Sequence, residues 1–247
     1  MSDKKRALVI GGSSGMGLAG VQALLEQGWN VAVADLQKSE KIPDAAFFKV
    51  DLTEPAAVSR AVSEAVEELG GLDAVWNHVG ICRIGTAETM ALEDLDASWA
   101  LNVRANAVLA REVIPHLRAA GGGSLLFSSS AAGVMVNPGT LPYVLTKSAL
   151  VTLTRQLAAE LAGDNIRVNT ICSGWVDTPF NAPAWEMMGG REPFLQKVPD
   201  LVPLGRMADP SEIGSTVAFL LSAPASFITG QAVVIDGGES LIKGATR

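Results

Sequence analysis

The chain has 247 residues, 48% of them apolar, with a formal charge of −7 and a pI near 4.9. That length fits a single α/β domain with a large core, and the acidic balance excludes the basic face that a nucleic-acid partner needs. No run of eighteen apolar residues predicts a membrane span, the apolar stretch at 7–10 is too short for a signal peptide, and the expected location is the cytoplasm.

Residues 7–10 read as a first strand. Gly11, Gly12, Ser13, Ser14, Gly15, Met16 and Gly17 follow, and Leu18, Val21, Leu24 and Leu25 then recur at helical spacing to about Gly28. A glycine loop between a strand and a helix lets backbone N–H groups and the helix N-terminus meet a pyrophosphate. Residues 30–34 form the second predicted strand, and Asp35 ends it. A carboxylate about twenty residues past the loop accepts hydrogen bonds from a ribose diol and repels a 2′-phosphate. Leu36 follows Asp35 and Ser14 precedes Gly15, so neither obvious position is basic; Lys38 is the nearest cation.

The polar stretch 37–46 contains Pro43 and leaves little room for a helix before a third strand over 46–50. Asp51 and Leu52, at that strand's end, are candidate adenine contacts. Thr53, with Glu54 in the first turn, reads as the N-cap of a helix running to Leu69. A fourth strand over 72–76 leads into Asn77-His78-Val79-Gly80. Residues 93–120 read as one long helix carrying Asn102, with Pro115 marking a kink or an end. The fifth strand, 124–127, runs into Ser128-Ser129-Ser130.

Pro142 suits the first turn of the next helix, expected over 142–162. On it stands Tyr143, the only tyrosine of the chain, with Lys147 four residues later on the same face. A free phenol titrates near 10, and a fixed ammonium beside it favours phenolate and moves it toward the working range of a general base. Ser130, thirteen residues before Tyr143, offers a second hydroxyl to an oxygen that gains or loses charge.

A sixth strand is expected over 166–171, an irregular segment over 172–203 that serves as a lid or binding loop, a last helix over 210–221 and a last strand over 232–235. Strands alternate with helices throughout, which gives one doubly wound parallel sheet of about seven strands with helices on both faces, a Rossmann arrangement spanning 1–247. The glycine loop, Asp35, Asp51, Asn77, Ser130 and Ser173-Gly174 all fall at the C-terminal ends of strands, where such sheets bind ligands. Cys82 and Cys172 are distant in sequence and read as buried small residues; with no Cys/His cluster no metal site is expected. His78 and His116 stand too isolated to suggest catalysis.

On these residues the chain resembles the short-chain dehydrogenase/reductase family over nearly its whole length. Gly11-x-x-x-Gly15-x-Gly17 matches the family's cofactor loop, although Ile10 stands where Thr is usual; Asn102, Ser130, Tyr143 and Lys147 match its catalytic tetrad; Trp175-Val176-Asp177-Thr178-Pro179 and the ending through Asp236-Gly237-Gly238 are also similar. His78 and Val79 depart from the usual Asn-Asn-Ala-Gly, and Ser173 from the usual Pro. The resemblance implies an NAD-linked oxidoreductase for a secondary alcohol or its ketone. Tyr143 is then the general acid/base, Ser130 steadies the substrate oxygen, Lys147 holds the nicotinamide ribose and lowers the phenol's pKa, Asn102 holds a relay water, and Val176 and Thr178 hold the carboxamide. It also implies a homotetramer.

Substrate contacts are expected from Ala132, Val134, Val136, Trp175, Phe180, Trp185, Met187, Met188 and Phe194, with the lid over 178–203. Most are apolar, which suits an apolar or alicyclic alcohol; Arg83 and Arg191 instead suit an anionic group. The alternatives are an NADP-linked reductase, a redox-neutral lyase and a protein that senses NAD(H) without turnover.

Overall fold

The computed structural model describes residues 4–42 and 44–242; Pro43, expected to interrupt the 37–46 stretch, lies outside them. The strands are β1 (Arg6–Ile10), β2 (Asn30–Asp35), β3 (Ala46–Lys49), β4 (Ala74–Asn77), β5 (Gly123–Ser128), β6 (Ile166–Ser173) and β7 (Ala232–Ile235). They form one parallel sheet in the order β3-β2-β1-β4-β5-β6-β7, so the chain reverses its direction of travel across the sheet between β1 and β4. That reversal is where an open α/β sheet leaves a crevice beyond its strand ends.

The helices are α1 (Gly15–Glu26), α2 (Pro55–Leu69), α3 (Leu92–Trp99), α4 (Ala105–Ala119), α5 (Leu141–Leu161), α6 (Ala182–Met187), α7 (Arg191–Leu201), α8 (Pro210–Leu221) and a short α9 (Glu239–Ile242) that sequence periodicity does not reveal. On one face of the sheet Leu8, Ile10 and Phe127 bury against Val58 and Val62 of α2, Leu109 and Val113 of α4 and Leu161 of α5. On the other, Val9, Val33, Trp76 and Leu126 bury against Val21 and Leu24 of α1 and Ile213 and Val217 of α8. Among the described residues no helix joins β2 to β3; Ile42 and Ala45 fill that part of the second layer instead.

Several expectations need correction. The stretch read as one helix over 93–120 is α3, a five-residue π-helical turn (Ala100–Arg104) and α4, and Pro115 lies inside α4 without ending it. Thr53 is not an N-cap: Glu54 holds that position, and the Thr53 hydroxyl donates to Asp51 at 2.8 Å. β4 begins at Ala74, because the Asp73 carboxylate takes the backbone N–H and the Nε of Arg6 at 2.9 and 2.8 Å and occupies the place of a ladder partner. Residues 172–203 are mostly ordered into the end of β6, a 3-10 turn (Pro179–Asn181), α6 and α7. Pro179 and Pro183 sit at the starts of the 3-10 turn and α6, where a missing N–H breaks nothing, while Pro199 lies inside α7.

Candidate active site

The loop after β1 is built so that backbone approaches backbone. A Cβ on Gly17 would stand 1.9 Å from the carbonyl oxygen of Gly11, and Gly15 has φ +52°. Ser14 leads into α1 with its side chain exposed and making no cap, and Met16 is half-buried. The Ser13 hydroxyl is buried without a hydrogen-bond partner, while the Ser13 N–H donates to Asp35 Oδ2 at 3.0 Å. Asp35 also receives the N–H of Leu36 at 2.7 Å, and Leu36 is exposed. An acidic group thus stands at the end of β2 beside the loop, and among the described residues it makes no ion pair. A glycine cradle that a single Cβ would fill, an orphaned hydroxyl and this carboxylate fit a dinucleotide.

The remaining cofactor candidates surround the same crevice. Asn77 is buried, donates to Asn106 at 2.9 Å and accepts from the Val79 N–H at 3.1 Å. Thr178 arches back from β6, with Cγ2 3.4 Å from the point where a Gly15 Cβ would lie. The Val176 side chain is buried and its carbonyl accepts from Asn181 at 2.6 Å. Asp51 is exposed and held below the usual carboxylate range by the N–H and hydroxyl of Thr53. Leu52 buries its side chain in the core, so it can meet a ligand only through its backbone.

Ser130, Tyr143, Lys147 and Asn102 converge. Ser130 caps a 3-10 turn (Ala131–Gly133), accepting the Ala132 N–H at 3.2 Å, and its hydroxyl is near enough to the phenol of Tyr143 to favour the phenolate. Lys147 is buried; its Nζ lies 5.6 Å from the centroid of the Tyr143 ring and donates to the Ser128 carbonyl at 2.8 Å. Gly80 makes room for it, since a Cβ there would stand 2.9 Å from Nζ. Asn102, on the π-helical turn, accepts the Ile81 N–H at 2.9 Å and donates to the Ile81 carbonyl at 2.9 Å and to Thr146 Oγ1 at 3.0 Å. Its two side-chain donors are therefore used, and only acceptor capacity remains for a water.

The electrostatics differ from the expectation for a Tyr–Lys pair. Burial pushes the Tyr143 phenol well above its ordinary value, with the nearby Ser130 hydroxyl opposing the rise. Burial also pulls Lys147 down to about 8. The ammonium does not draw the phenol toward neutrality, because desolvation outweighs a charge that is itself costly to bury.

Sequence spacing missed a second group beside the first. The Trp76 indole N–H donates to Ser128 Oγ at 2.9 Å, and His78 Nδ1 lies 3.1 Å from the same oxygen. Trp76 and His78 share a face of one extended segment, and their alternation was the one available signal. Cys172 is buried as expected, whereas Cys82 is exposed.

In the segment 178–203, Phe194 is fully buried and meets Trp175 edge-on, with ring centroids 4.8 Å apart. Together with Val198, Val202, Met207 and Trp185 it forms a small core of its own, so Phe194 packs this segment and does not face a ligand. Ala132 is buried, whereas Val134, Val136, Phe180, Met187 and Met188 are exposed. Arg83 pairs with Asp94 at 3.0 Å, and Arg191 pairs with Asp177 and stacks 5.6 Å from the Trp185 ring.

A parallel sheet with a glycine cradle at its reversal point, and a Ser/Tyr/Lys cluster at neighbouring strand ends, defines a nicotinamide-dependent oxidoreductase of the Rossmann type. The family model described as enoyl-(acyl carrier protein) reductase matches residues 11–240. The chain is 34% identical over 249 residues to Oxidoreductase UcpA of Escherichia coli strain K12, covering 96% of this chain and 95% of that protein. It is 32% identical over 247 residues to 2,5-dichloro-2,5-cyclohexadiene-1,4-diol dehydrogenase LinX of Sphingobium indicum, covering 96% of each. The ligand-free aldohexose dehydrogenase AldT of Thermoplasma acidophilum superposes with a TM-score of 0.91 at 27% identity, over 96% of this chain and 94% of that one. The chain belongs to the short-chain dehydrogenase/reductase family and acts on a carbonyl or alcohol substrate with a nicotinamide cofactor.

Proposed function

We propose that the protein is an NAD-dependent dehydrogenase/reductase that interconverts a neutral secondary alcohol and its ketone, with Tyr143 as the general acid/base. The observation that carries this reading is the convergence of the Tyr143 phenol, the Ser130 hydroxyl and the Lys147 ammonium beside the glycine cradle. Gly11, Gly15, Gly17, Ser13 and Asp35 would hold the dinucleotide, with Val176 and Thr178 at the carboxamide and Lys147 at the ribose. When bound, the nicotinamide supplies or accepts the hydride.

The chain's own groups handle the proton. Tyr143, held as a phenol by burial, is in the form that donates to the substrate oxygen when a ketone is reduced. Alcohol oxidation needs the phenolate and gains as pH rises. Ser130 donates to the same substrate oxygen and resists its drift as charge develops. The cofactor choice rests on Asp35: a carboxylate beside Leu36, with no cation paired to it among the described residues, disfavours a 2′-phosphate. The apolar Val134, Val136, Phe180 and Met187 support an apolar or alicyclic substrate, in keeping with the cyclic diol in LinX's name.

The test is a panel of neutral and carboxylated secondary alcohols, offered with NAD or NADP and followed at the absorbance of the reduced nicotinamide. Neutral alcohols with NAD are expected to turn over, and Tyr143→Phe is expected to lose at least a hundredfold in kcat while still binding NADH. Retained turnover in Tyr143→Phe removes Tyr143 from the chemistry; preference for NADP or for anionic substrates overturns the corresponding half of the assignment.

A further inference from the structure

We propose that His78 is a positioning residue for Lys147 that acts through Ser128: the imidazole fixes the hydroxyl of the residue whose carbonyl holds the ammonium. This rests on the reading above, in which Lys147 works at the reacting centre. The argument begins with the donors. An indole N–H can only donate, so Ser128 Oγ accepts from Trp76 at 2.9 Å. The Ser128 hydroxyl proton then needs an acceptor of its own, and His78 Nδ1, 3.1 Å away, supplies it. A neutral imidazole that accepts at Nδ1 carries its proton on Nε2.

Neutrality is enforced from two sides. Burial and the neighbouring Lys147 charge hold His78 down to about 4. The ring is also confined. It lies 5.0 Å from the Trp76 ring at 39°, its backbone N–H donates to Ile10 at 2.9 Å, and Trp76 is seated where Gly20 leaves room, a Cβ there lying 2.3 Å from the indole. Ser128, buried at the end of β5, is thus gripped through its side chain from β4 while its carbonyl receives Lys147 Nζ at 2.8 Å. The other titratable groups around Lys147 are Tyr143 on α5, Cys172 on β6 and Cys82 in the loop after β4. None of them touches Ser128 Oγ among the described hydrogen bonds. Loosening the grip lets the ammonium reach water, which raises its pKa.

The test separates this clamp from the assigned chemistry. The chain has two histidines, His78 and His116, so ¹⁵N-histidine-labelled protein reports the His78 tautomer directly, with His78→Asn identifying its signals. The expected tautomer is Nε2–H, lost or mixed in Ser128→Ala. In ¹³C-lysine-labelled protein, with Lys147→Met assigning the resonance, Lys147 is expected to titrate near 8. That midpoint is expected to move up by about one unit in His78→Ala and Ser128→Ala. It should stay in place in His78→Asn, whose Oδ1 falls where Nδ1 was. Both readouts need no turnover. In steady state His78→Ala is expected to lower kcat about tenfold with little change in the cofactor KM. His78→Asn should recover most of that loss, and His78→Ala/Ser128→Ala should be no worse than either single variant. An Nδ1–H tautomer, an unmoved Lys147 midpoint in folded His78→Ala, or additive losses would each overturn the clamp. An inactive wild type with the expected spectra would instead overturn the assigned reaction and leave the clamp standing.

Discussion

Lys147 carries a charge that its surroundings do not welcome. Its folded value of about 8 lies below the ordinary 10.5, so between those two pH values the unfolded chain binds more protons than the folded one. Stability therefore rises with pH across that window, by up to roughly 3 kcal/mol from this group, and below pH 8 the cost of burying the ammonium is felt in full. Lys147→Met fills the space of the stem without the charge. It is expected to match or exceed the wild type in urea unfolding at pH 7 and to lack the wild type's gain between pH 8 and 10, while turnover falls more than a hundredfold. A variant clearly less stable at pH 7 would mean that the bond to Ser128 outweighs desolvation. Local spacing was most legible where one element carries the groups by itself, while Asn102, Val176 and Thr178 were read through the family resemblance. Gly11 to Gly17 lie on one loop, and Tyr143 and Lys147 on one turn of α5. The Trp76–Ser128 and His78–Ser128 contacts span fifty residues or more, and no local spacing links them. The sign of the Tyr143 shift was hidden for a related reason: proximity of an ammonium can be read from spacing, but depth of burial cannot.

The helix that carries the cofactor loop is set by how closely it packs on α8. Gly214 allows this, since a Cβ there would stand 2.6 Å from the Ala19 carbonyl oxygen and 3.1 Å from the Gly20 nitrogen. Gly214→Ala gains about 1 kcal/mol of helix propensity. Because the obstruction is backbone, one helix must move, at a cost of about 1–3 kcal/mol. The collision is expected to win, lowering the thermal midpoint by roughly 2–8 °C and weakening NADH binding as α1 shifts. Gly163→Ala is the matched substitution: nothing lies within 4 Å of its Cβ position, and its midpoint should stay in place. An unchanged midpoint in Gly214→Ala would show that α1 and α8 yield freely. Whether an element was legible also depended on its ends. The start of α8 could be read because Asp209 and Glu212 form a capping box, with Asp209 accepting from Ser211 at 2.8 Å and Glu212 from Asp209 at 2.8 Å. α6 and α7 have no side-chain cap, and Gly189 and Gly190, both at positive φ, separate them, so their prolines and glycines masked two short helices. The π-helical turn at Asn102 was equally hidden, because it follows from side-chain bonds to Ile81 and Thr146 and not from the residues' propensities.

Exposed apolar side chains, besides Leu36, Val134, Val136, Phe180, Met187 and Met188, include two groups on the helices and the sheet edge. Leu92 and Trp99 on α3 and Leu145 on α5 form one. Phe219 on α8, Val234 on β7, Leu241 on α9 and the fully exposed Phe227 form the other, beside the free edge of the sheet at β7. An unpaired edge strand invites pairing with another chain, and large apolar patches on a soluble chain mark contact surfaces. Two independent faces, each meeting its own copy about a two-fold axis, close into a tetramer of dihedral symmetry, whereas one face would stop at a dimer. Light scattering at micromolar concentration is therefore expected to give four times the 25.7 kDa chain mass. Trp99→Glu and Phe227→Glu act on different faces, so each is expected to give a dimer and the double variant a monomer. If Trp99→Glu left the tetramer whole, the α3–α5 face would not be an interface; a wild-type monomer would remove both. Because α5 also carries Tyr143 and Lys147, the Trp99→Glu dimer is expected to lose more activity than the Phe227→Glu dimer, and comparing their kcat values at matched concentration checks that ordering.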